Sequence, residues 1–180
     1  QAAIDAAADG ETILVAPGTW LGSIDFLGKR IVLTSEVGPY MTTIVSGSGD
    51  VVTISSSELE GTVLQGFTVR QGMPEEIRYK NSNFAGIQIT GVSQPLVAGN
   101  VIRDNDIGVS IINHSLSNTG IPVSVTDNVI TANRDRPLNA KTGDPGGVHI
   151  LRNEIDGSRF TTEVVGSALL QDNAIDGWVY

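Results

Sequence analysis

The chain of 180 residues is long enough to bury a sizeable core and is expected to form a single domain. Its formal net charge of −9 repels phosphate backbones, so we expect no nucleic-acid partner. The lack of cysteine excludes disulfides and thiolate chemistry, and no apolar run approaches the ~18 residues that a membrane-spanning helix needs, so no membrane insertion is expected.

The elements predicted in chain order are one short helix and then many β-strands. Residues 1–8 are strong helix formers, and Asp9 and Gly10 end them at a position suited to positive φ. Strand-forming runs follow at residues 12–16, 23–26, 30–34, 43–45, 51–54, 63–69, 86–89 and 107–111. No second helix is predicted.

A six-residue phrase, apolar-x-x-(Asn or Phe)-x-apolar, recurs along the chain. Its central residues are Phe67, Asn100, Asn128, Asn153 and Asn173, separated by steps of 33, 28, 25 and 20 residues. A turn-compatible residue lies three positions after four of the phrases, at Gly72, Asn105, Asn133 and Ser158. The unequal steps predict coils with a constant core, loops of variable length, about three short strands and two corners.

The asparagines suit the corners of such coils. Asn tolerates the left-handed conformation that a sharp corner needs, and its amide can bond to the Asn of the next coil. The residues just before the phrase asparagines are Gly99, Asp127, Arg152 and Asp172. Stacking would therefore place Arg152 between two aspartates, which supports the alignment.

These features predict an all-β, right-handed, single-stranded parallel β-helix with an N-terminal capping α-helix. We expect one domain over residues 1–180, with the helix at 1–9 and the coils at 12–180. The chain starts inside a predicted helix and stops inside an apolar run, so we interpret it as a fragment or processed form of a longer protein.

Residues 1–39 and the Asn-x-Ile phrases resemble the pectin-lyase-like superfamily of parallel β-helices, in particular its carbohydrate-binding and sugar-hydrolase repeats. The resemblance implies that the helix covers the open end of the coil, that polysaccharide is the partner, and that the protein is extracellular or at the cell surface. The sequence patterns of pectin methylesterases and polygalacturonases are absent. The pectate lyase pattern of clustered aspartates and an arginine base is too loose to exclude.

Two 13-residue insertions, at 73–85 and 134–146, are predicted to form the walls of a groove above a tight turn at Asn105 and Asp106. One wall carries Glu75, Glu76, Arg78, Tyr79 and Lys80; the other carries Arg134, Asp135, Arg136, Lys141 and Asp144; the floor presents Arg103, Asp104 and Asp106. Carboxylates beside arginines suit an acidic sugar, calcium, or acid and base catalysis. The alternative is mutual ion pairing on a solvated surface.

Asp156 and Asp176 each lie three residues after a phrase Asn and are expected to stack in adjacent coils. Such a like-charged pair is a candidate for Ca²⁺, although two carboxylates fall short of the six or more oxygens that calcium takes.

Three functions stay open at this point. The first is a non-catalytic β-helix that contacts polysaccharide or serves a cell-surface structural role. The second is a lyase or glycoside hydrolase that acts on acidic polysaccharide in the groove. The third is a module that self-associates through its last coil.

Overall fold

The computed structural model describes residues 1–72, 83–113, 121–142, 147–156 and 162–176. These residues contain one helix, α1 (Ala2–Ala6), and three parallel sheets. Sheet A stacks β1 (Thr12–Val15), β4 (Val32–Ser35), β7 (Val63–Gln65), β10 (Leu96–Ala98), β13 (Val123–Thr126), β16 (Val148–Leu151) and β19 (Ala168–Gln171).

The other two sheets follow the same order along the chain. Sheet B stacks β2 (Gly18–Leu21), β5 (Thr42–Ser46), β8 (Thr68–Gln71), β11 (Val101–Arg103), β14 (Val129–Thr131), β17 (Glu154–Asp156) and β20 (Ala174–Asp176). Sheet C stacks β3 (Ile24–Asp25), β6 (Val52–Ile54), β9 (Ala85–Gly91), β12 (Ile107–Asn113), β15 (Arg136–Thr142) and β18 (Glu163–Val165). The chain thus visits A, B and C in turn, which confirms the predicted all-β parallel solenoid with an N-terminal helix. Within the described residues, no helix is long and apolar enough to cross a membrane.

The core lies between the three sheets and consists of apolar columns. Parallel pairing in constant register places like residues one above another, one from each coil. The central column of sheet B runs through Trp20, Ile44, Val69, Ile102, Ile130, Ile155 and Ile175. The matching column of sheet A runs through Ile13, Leu33, Leu64, Val97, Val125, Ile150 and Leu170. Each fully buried Val, Leu or Ile stabilises the fold by about 1.5–3 kcal/mol.

Helix α1 is held against the first coil by apolar packing and by hydrogen bonds. Ile4 is only 2% exposed and joins the core. The Lys29 Nζ donates to the carbonyl oxygens of Ile4, Asp5 and Ala7 at 2.7, 2.7 and 2.9 Å. A five-residue helix is not stable alone, so these contacts to the end of the helix maintain it.

The phrase asparagines form a continuous ladder at the corner between sheets A and B, as predicted. The Asn100, Asn128 and Asn153 Nδ2 atoms each donate to the Oδ1 of the next Asn at 3.0–3.1 Å. The backbone N–H of Phe67 starts the series by donating to Asn100 Oδ1 at 3.0 Å. Because Asn100, Asn128 and Asn153 are at most 2% exposed, these bonds satisfy polar groups inside the protein.

The predicted left-handed conformation of the asparagines is wrong by one residue. Positive φ falls on the residue before each ladder position, at Gly66, Gly99, Asp127, Arg152 and Asp172. The corner bends there, and the Asn that follows is free to direct its amide along the stack. The second corner shows the same pattern, because Asp104 and Ala132 have positive φ and precede Asn105 and Asn133.

The predicted insertion at 134–146 is also wrong for most of its length. Arg136–Thr142 is the strand β15, in register with β12, and its Leu138 and Ala140 are fully buried. Alternating apolar residues at these positions fill the core of sheet C, which a surface loop does not do. Residues 136–142 therefore do not form the loop expected for the second groove wall. The first wall, with Glu75, Glu76, Arg78, Tyr79 and Lys80, and Asp144 of the second, lie outside the described residues.

Candidate functional site

Six of the predicted charged residues lie where sheet B turns into sheet C. We name this region the B–C corner and define it as residues 103–106 and 134–136. The Asn105 Nδ2 donates to Asn133 Oδ1 at 3.1 Å, so a second, short ladder fixes the two turns on each other. The coil with Asn105 turns directly into β12, as predicted, and the next coil enters β15 after Arg134 and Asp135. The corner is therefore formed by two short turns that are hydrogen-bonded to each other.

Asp106 is the buried carboxylate of this corner. Its side chain is 0% exposed, and its Oδ1 accepts a hydrogen bond from Arg134 Nε at 2.9 Å. A buried carboxylate is costly without a counter-charge, and the 35%-exposed Arg134 side chain supplies one. Within the described ranges of the chain, Asp106 Oδ2 has no hydrogen-bond partner. The predicted floor residue is therefore a buried half of an ion pair and not an exposed acid.

Glu163 joins two of the predicted wall cations. Its Oε2 lies 2.9 Å from Arg136 Nη1 and its Oε1 lies 3.3 Å from Lys141 Nζ. Arg136 also lies 4.0 Å from Asp135. Glu163 was missed by sequence reasoning, although its strand β18 pairs with β15 and places it beside Asn139. Knowing that residues 136–142 form a strand would have revealed it.

Arg103 pairs with its neighbour Asp104 through Nη1 and Oδ2. The groove cations in the described part of the chain, namely Arg103, Arg134, Arg136 and Lys141, thus each contact a carboxylate. This is the mutual ion pairing that the sequence offered as the alternative to ligand binding. The guanidinium groups of Arg103 and Arg136 still present donors to solvent, since their side chains are 46% and 35% exposed.

Asp156 and Asp176 stack in adjacent coils, as predicted, because β17 pairs with β20 at these residues. Asp156 Oδ2 also accepts a hydrogen bond from Thr131 Oγ1 at 3.2 Å. The part of the chain that the structure describes brings together no group of three or more His, Cys, Asp or Glu side chains able to hold a metal. The pair supplies two carboxylates, which is fewer oxygens than Ca²⁺ takes.

Glu58 is a second buried carboxylate, and it serves the scaffold. It is 0% exposed, and its oxygens accept hydrogen bonds from the backbone N–H of Gly28 and Ser56, both at 2.9 Å, and from the Ser93 hydroxyl at 2.6 Å. These three donors belong to three successive coils. A carboxylate held this way ties the coils together and is not available for chemistry.

Two carboxyl groups have displaced pKa values with identifiable causes. The Arg152 guanidinium donates to both oxygens of Asp127 at 2.7 and 2.8 Å, and this lowers the pKa of Asp127. The predicted neutralisation of stacked aspartates by Arg152 is thus seen as a two-bond pair to Asp127. Burial raises the pKa of Asp50, an effect partly offset by the hydrogen bond that its Oδ1 accepts from the Ala85 N–H.

Comparison with models of known protein families, with curated proteins and with solved structures found no match to this chain.

Proposed function

We propose that this chain is an extracellular or cell-surface β-helix module, of the pectin-lyase-like kind, that contacts polysaccharide without acting on it. The parallel three-sheet stack supports the resemblance to that superfamily. The observation that carries the proposal is the pairing at the B–C corner, where the ion pairs of Arg103 and Arg136 leave guanidinium donors facing solvent.

The geometry of the corner favours contact over catalysis. General acid and base chemistry needs a carboxyl group within hydrogen-bonding reach of the substrate. Asp106 is buried, and Glu163 is held by two cations. Stacked coils repeat their donors every ~4.8 Å, which is close to the length of one sugar unit in an extended chain.

Affinity electrophoresis through gels that contain single polysaccharides would test the proposal. We expect retardation by at least one polymer, and a smaller retardation for the variant Arg136→Gln, which leaves the buried Asp106–Arg134 pair intact. Retardation by none of a panel of neutral and acidic polymers would reject it. The same polymers, incubated with the protein with and without Ca²⁺, should yield no unsaturated product by absorbance. Product formation would instead establish the lyase.

A second candidate function, self-association through the last coil, rests on a separate observation. Leu170 is 38% exposed, whereas Ile150, directly before it in the same core column, is fully buried. Strands β18, β19 and β20 are also the terminal strands of their sheets in the described structure. Terminal strands present unpaired N–H and C=O groups to a partner. Sedimentation velocity should then show concentration-dependent association that Leu170→Glu abolishes, and a monomer at all concentrations would reject this candidate.

A further inference from the structure

The outward-facing column at the end of sheet B carries a charge pattern that the ion pairs of the corner do not account for. Val69 pairs with Ile102 across β8 and β11, so the next residues along these strands, Arg70 and Arg103, are neighbours in successive coils. Successive coils are ~4.8 Å apart. Continued by one residue, this register places Arg70 and Arg103 at neighbouring positions of successive coils.

Only one of these two arginines has an acidic partner among the described residues. Arg103 contacts Asp104, but Arg70 forms no ion pair in the described structure. Among the described residues, the Arg70 guanidinium forms one hydrogen bond, and it is long, 3.5 Å from Nη1 to the carbonyl oxygen of Gln71. Like charges in directly opposed positions of adjacent strands repel. The other close stacks differ, since Arg152 lies against Asp127 and Glu163 against two cations.

The column continues with Thr131 beside Arg103, and the acidic Asp156 and Asp176 come only in the coils after it. Arg103 and Asp156 are thus two coil steps apart, or ~10 Å, which is too far for direct contact. No acidic residue of this column is therefore close enough to balance the charge of Arg70.

An exposed aromatic residue lies in the corner that is hydrogen-bonded to the start of β8. The Thr68 hydroxyl donates to the carbonyl oxygen of Pro39 at 2.7 Å, which holds the corner of residues 36–41 against this strand. Tyr40, next to Pro39, is 83% exposed. Aromatic rings with one apolar face and one polar end suit contact with sugar rings. Strand β8 thus has Arg70 near its end, with Arg103 at the end of the neighbouring β11, and Tyr40 in the corner beside its start.

We propose that Arg70 and Arg103 together bind an oxyanion group, a carboxylate or a sulfate ester, of an acidic sugar chain. Guanidinium groups recognise such groups through two parallel N–H···O bonds, and two stacked guanidinium groups supply the charge that one anion needs. The identity of the carrier as a sugar rests on the proposed polysaccharide contact. The site extends that proposal by naming acidic polymers as the ligands and Arg70 as a binding residue.

The test uses two matched ligand pairs, titrated by calorimetry at about 0.15 M salt, where distant acidic residues are largely screened. One pair is oligogalacturonate and its methyl ester, and the other is dextran sulfate and dextran. We expect an acidic member to bind more tightly than its neutral partner, and Arg70→Gln to weaken that binding about tenfold. Whichever acidic member binds identifies the oxyanion.

Three variants separate the site from other effects. Arg30→Gln makes the same charge change at an exposed arginine of an early coil and should leave binding unchanged. Arg70→Lys keeps the charge without the fork and should lie between wild type and Arg70→Gln. Tyr40→Ala should weaken binding of the oligosaccharide but not of inorganic sulfate. Circular dichroism of each variant confirms that the fold is intact.

Failure of this inference is distinguishable from failure of the proposed function. Equal binding of acidic and neutral members, or equal losses for Arg70→Gln and Arg30→Gln, overturns the arginine site and leaves polysaccharide contact standing. Binding of no sugar polymer, charged or neutral, overturns both.

Discussion

Replacement of Asn128 by alanine tests whether the asparagine ladder holds the coils together. Asn128 occupies the middle of the ladder and is 1% exposed. Its Oδ1 accepts from the Asn100 N–H and Nδ2, and its Nδ2 donates to Val97 O, Thr126 O and Asn153 Oδ1, all within 2.9–3.1 Å. Alanine removes these five bonds and leaves the Asn100 backbone N–H buried without its acceptor.

The expected loss follows from these contacts. A hydrogen bond contributes about 1 kcal/mol net, and a buried group left without a partner costs about 1–3 kcal/mol. Some carbonyl oxygens of the ladder keep other donors, so we expect Asn128→Ala to lower the free energy of unfolding by ~4 kcal/mol. That is a large part of the roughly 5–15 kcal/mol by which whole domains are stable.

The matched control is Asn173→Ala at the last described step of the ladder. Asn173 is only partly buried, and three hydrogen bonds are lost with its side chain. We expect it to cost about 1–2 kcal/mol. Urea unfolding followed by circular dichroism measures both values. Equal losses, or a loss below about 1 kcal/mol at Asn128, would refute the view that buried ladder bonds stabilise the stack.

Three further outcomes are expected from stability measurements. Arg134→Met should lower the free energy of unfolding by about 3–5 kcal/mol, because it leaves the buried Asp106 carboxylate unpaired. Asp106→Asn should lower it less, because Arg134 can be hydrated. The opposite order in urea unfolding would contradict this. Gly108→Ala should destabilise the fold by about 1–3 kcal/mol, because its Cβ would lie 2.3 Å from a backbone oxygen of the next coil. In the control Gly47→Ala the added Cβ meets no atom within 4 Å, so thermal melts should show no change. Burial raises the pKa of Asp50 above the unfolded value of 3.8, so the folded state holds the proton more tightly. The free energy of unfolding should therefore fall as the pH rises from 3.8 through the folded pKa. Asp50→Asn should remove this dependence in unfolding titrations, and an unchanged profile would contradict it.

The fold was predictable from the sequence because its determinants are local and repeated. The phrase around each ladder Asn contains a core residue of sheet A, the corner, and a core residue of sheet B. That spacing specifies the stacking of sheets A and B even where the steps between coils vary from 33 to 20 residues. The short helix was also visible, since its composition differs from everything after it.

The errors arose where polar residues interrupt the apolar pattern. Arg136–Thr142 contains a proline, an arginine, an asparagine and a lysine, so its two buried residues, Leu138 and Ala140, did not stand out as a strand. The left-handed residue was assigned to Asn because its intrinsic tolerance is high. In the stack, hydrogen bonding along the ladder decides the position of the Asn, and the bend moves to its neighbour.

The charged site was only partly predictable for a related reason. The sequence identified the cations of the B–C corner but not Glu163, whose proximity depends on the pairing of β15 with β18. Arg70 was missed although it occupies the same place after its phrase as Asp156 and Asp176. Comparing that place across all coils, instead of in the acidic ones alone, would have shown the stacked arginines.

The asparagine ladder also gives the solenoid a chemical direction. Every step from Phe67 to Asn173 runs the same way, with the backbone N–H of one coil donating to the amide oxygen of the next. Amide dipoles aligned in such a row polarise and strengthen one another. The row begins at the backbone N–H of Phe67, and at Asn173 the side-chain amide donates back to the carbonyl oxygen of Ile150 at 2.7 Å. Each coil therefore offers its amide oxygen to the coil before it, and a layer stacked on Asn173 would extend the row only by presenting an acceptor oxygen in the same register.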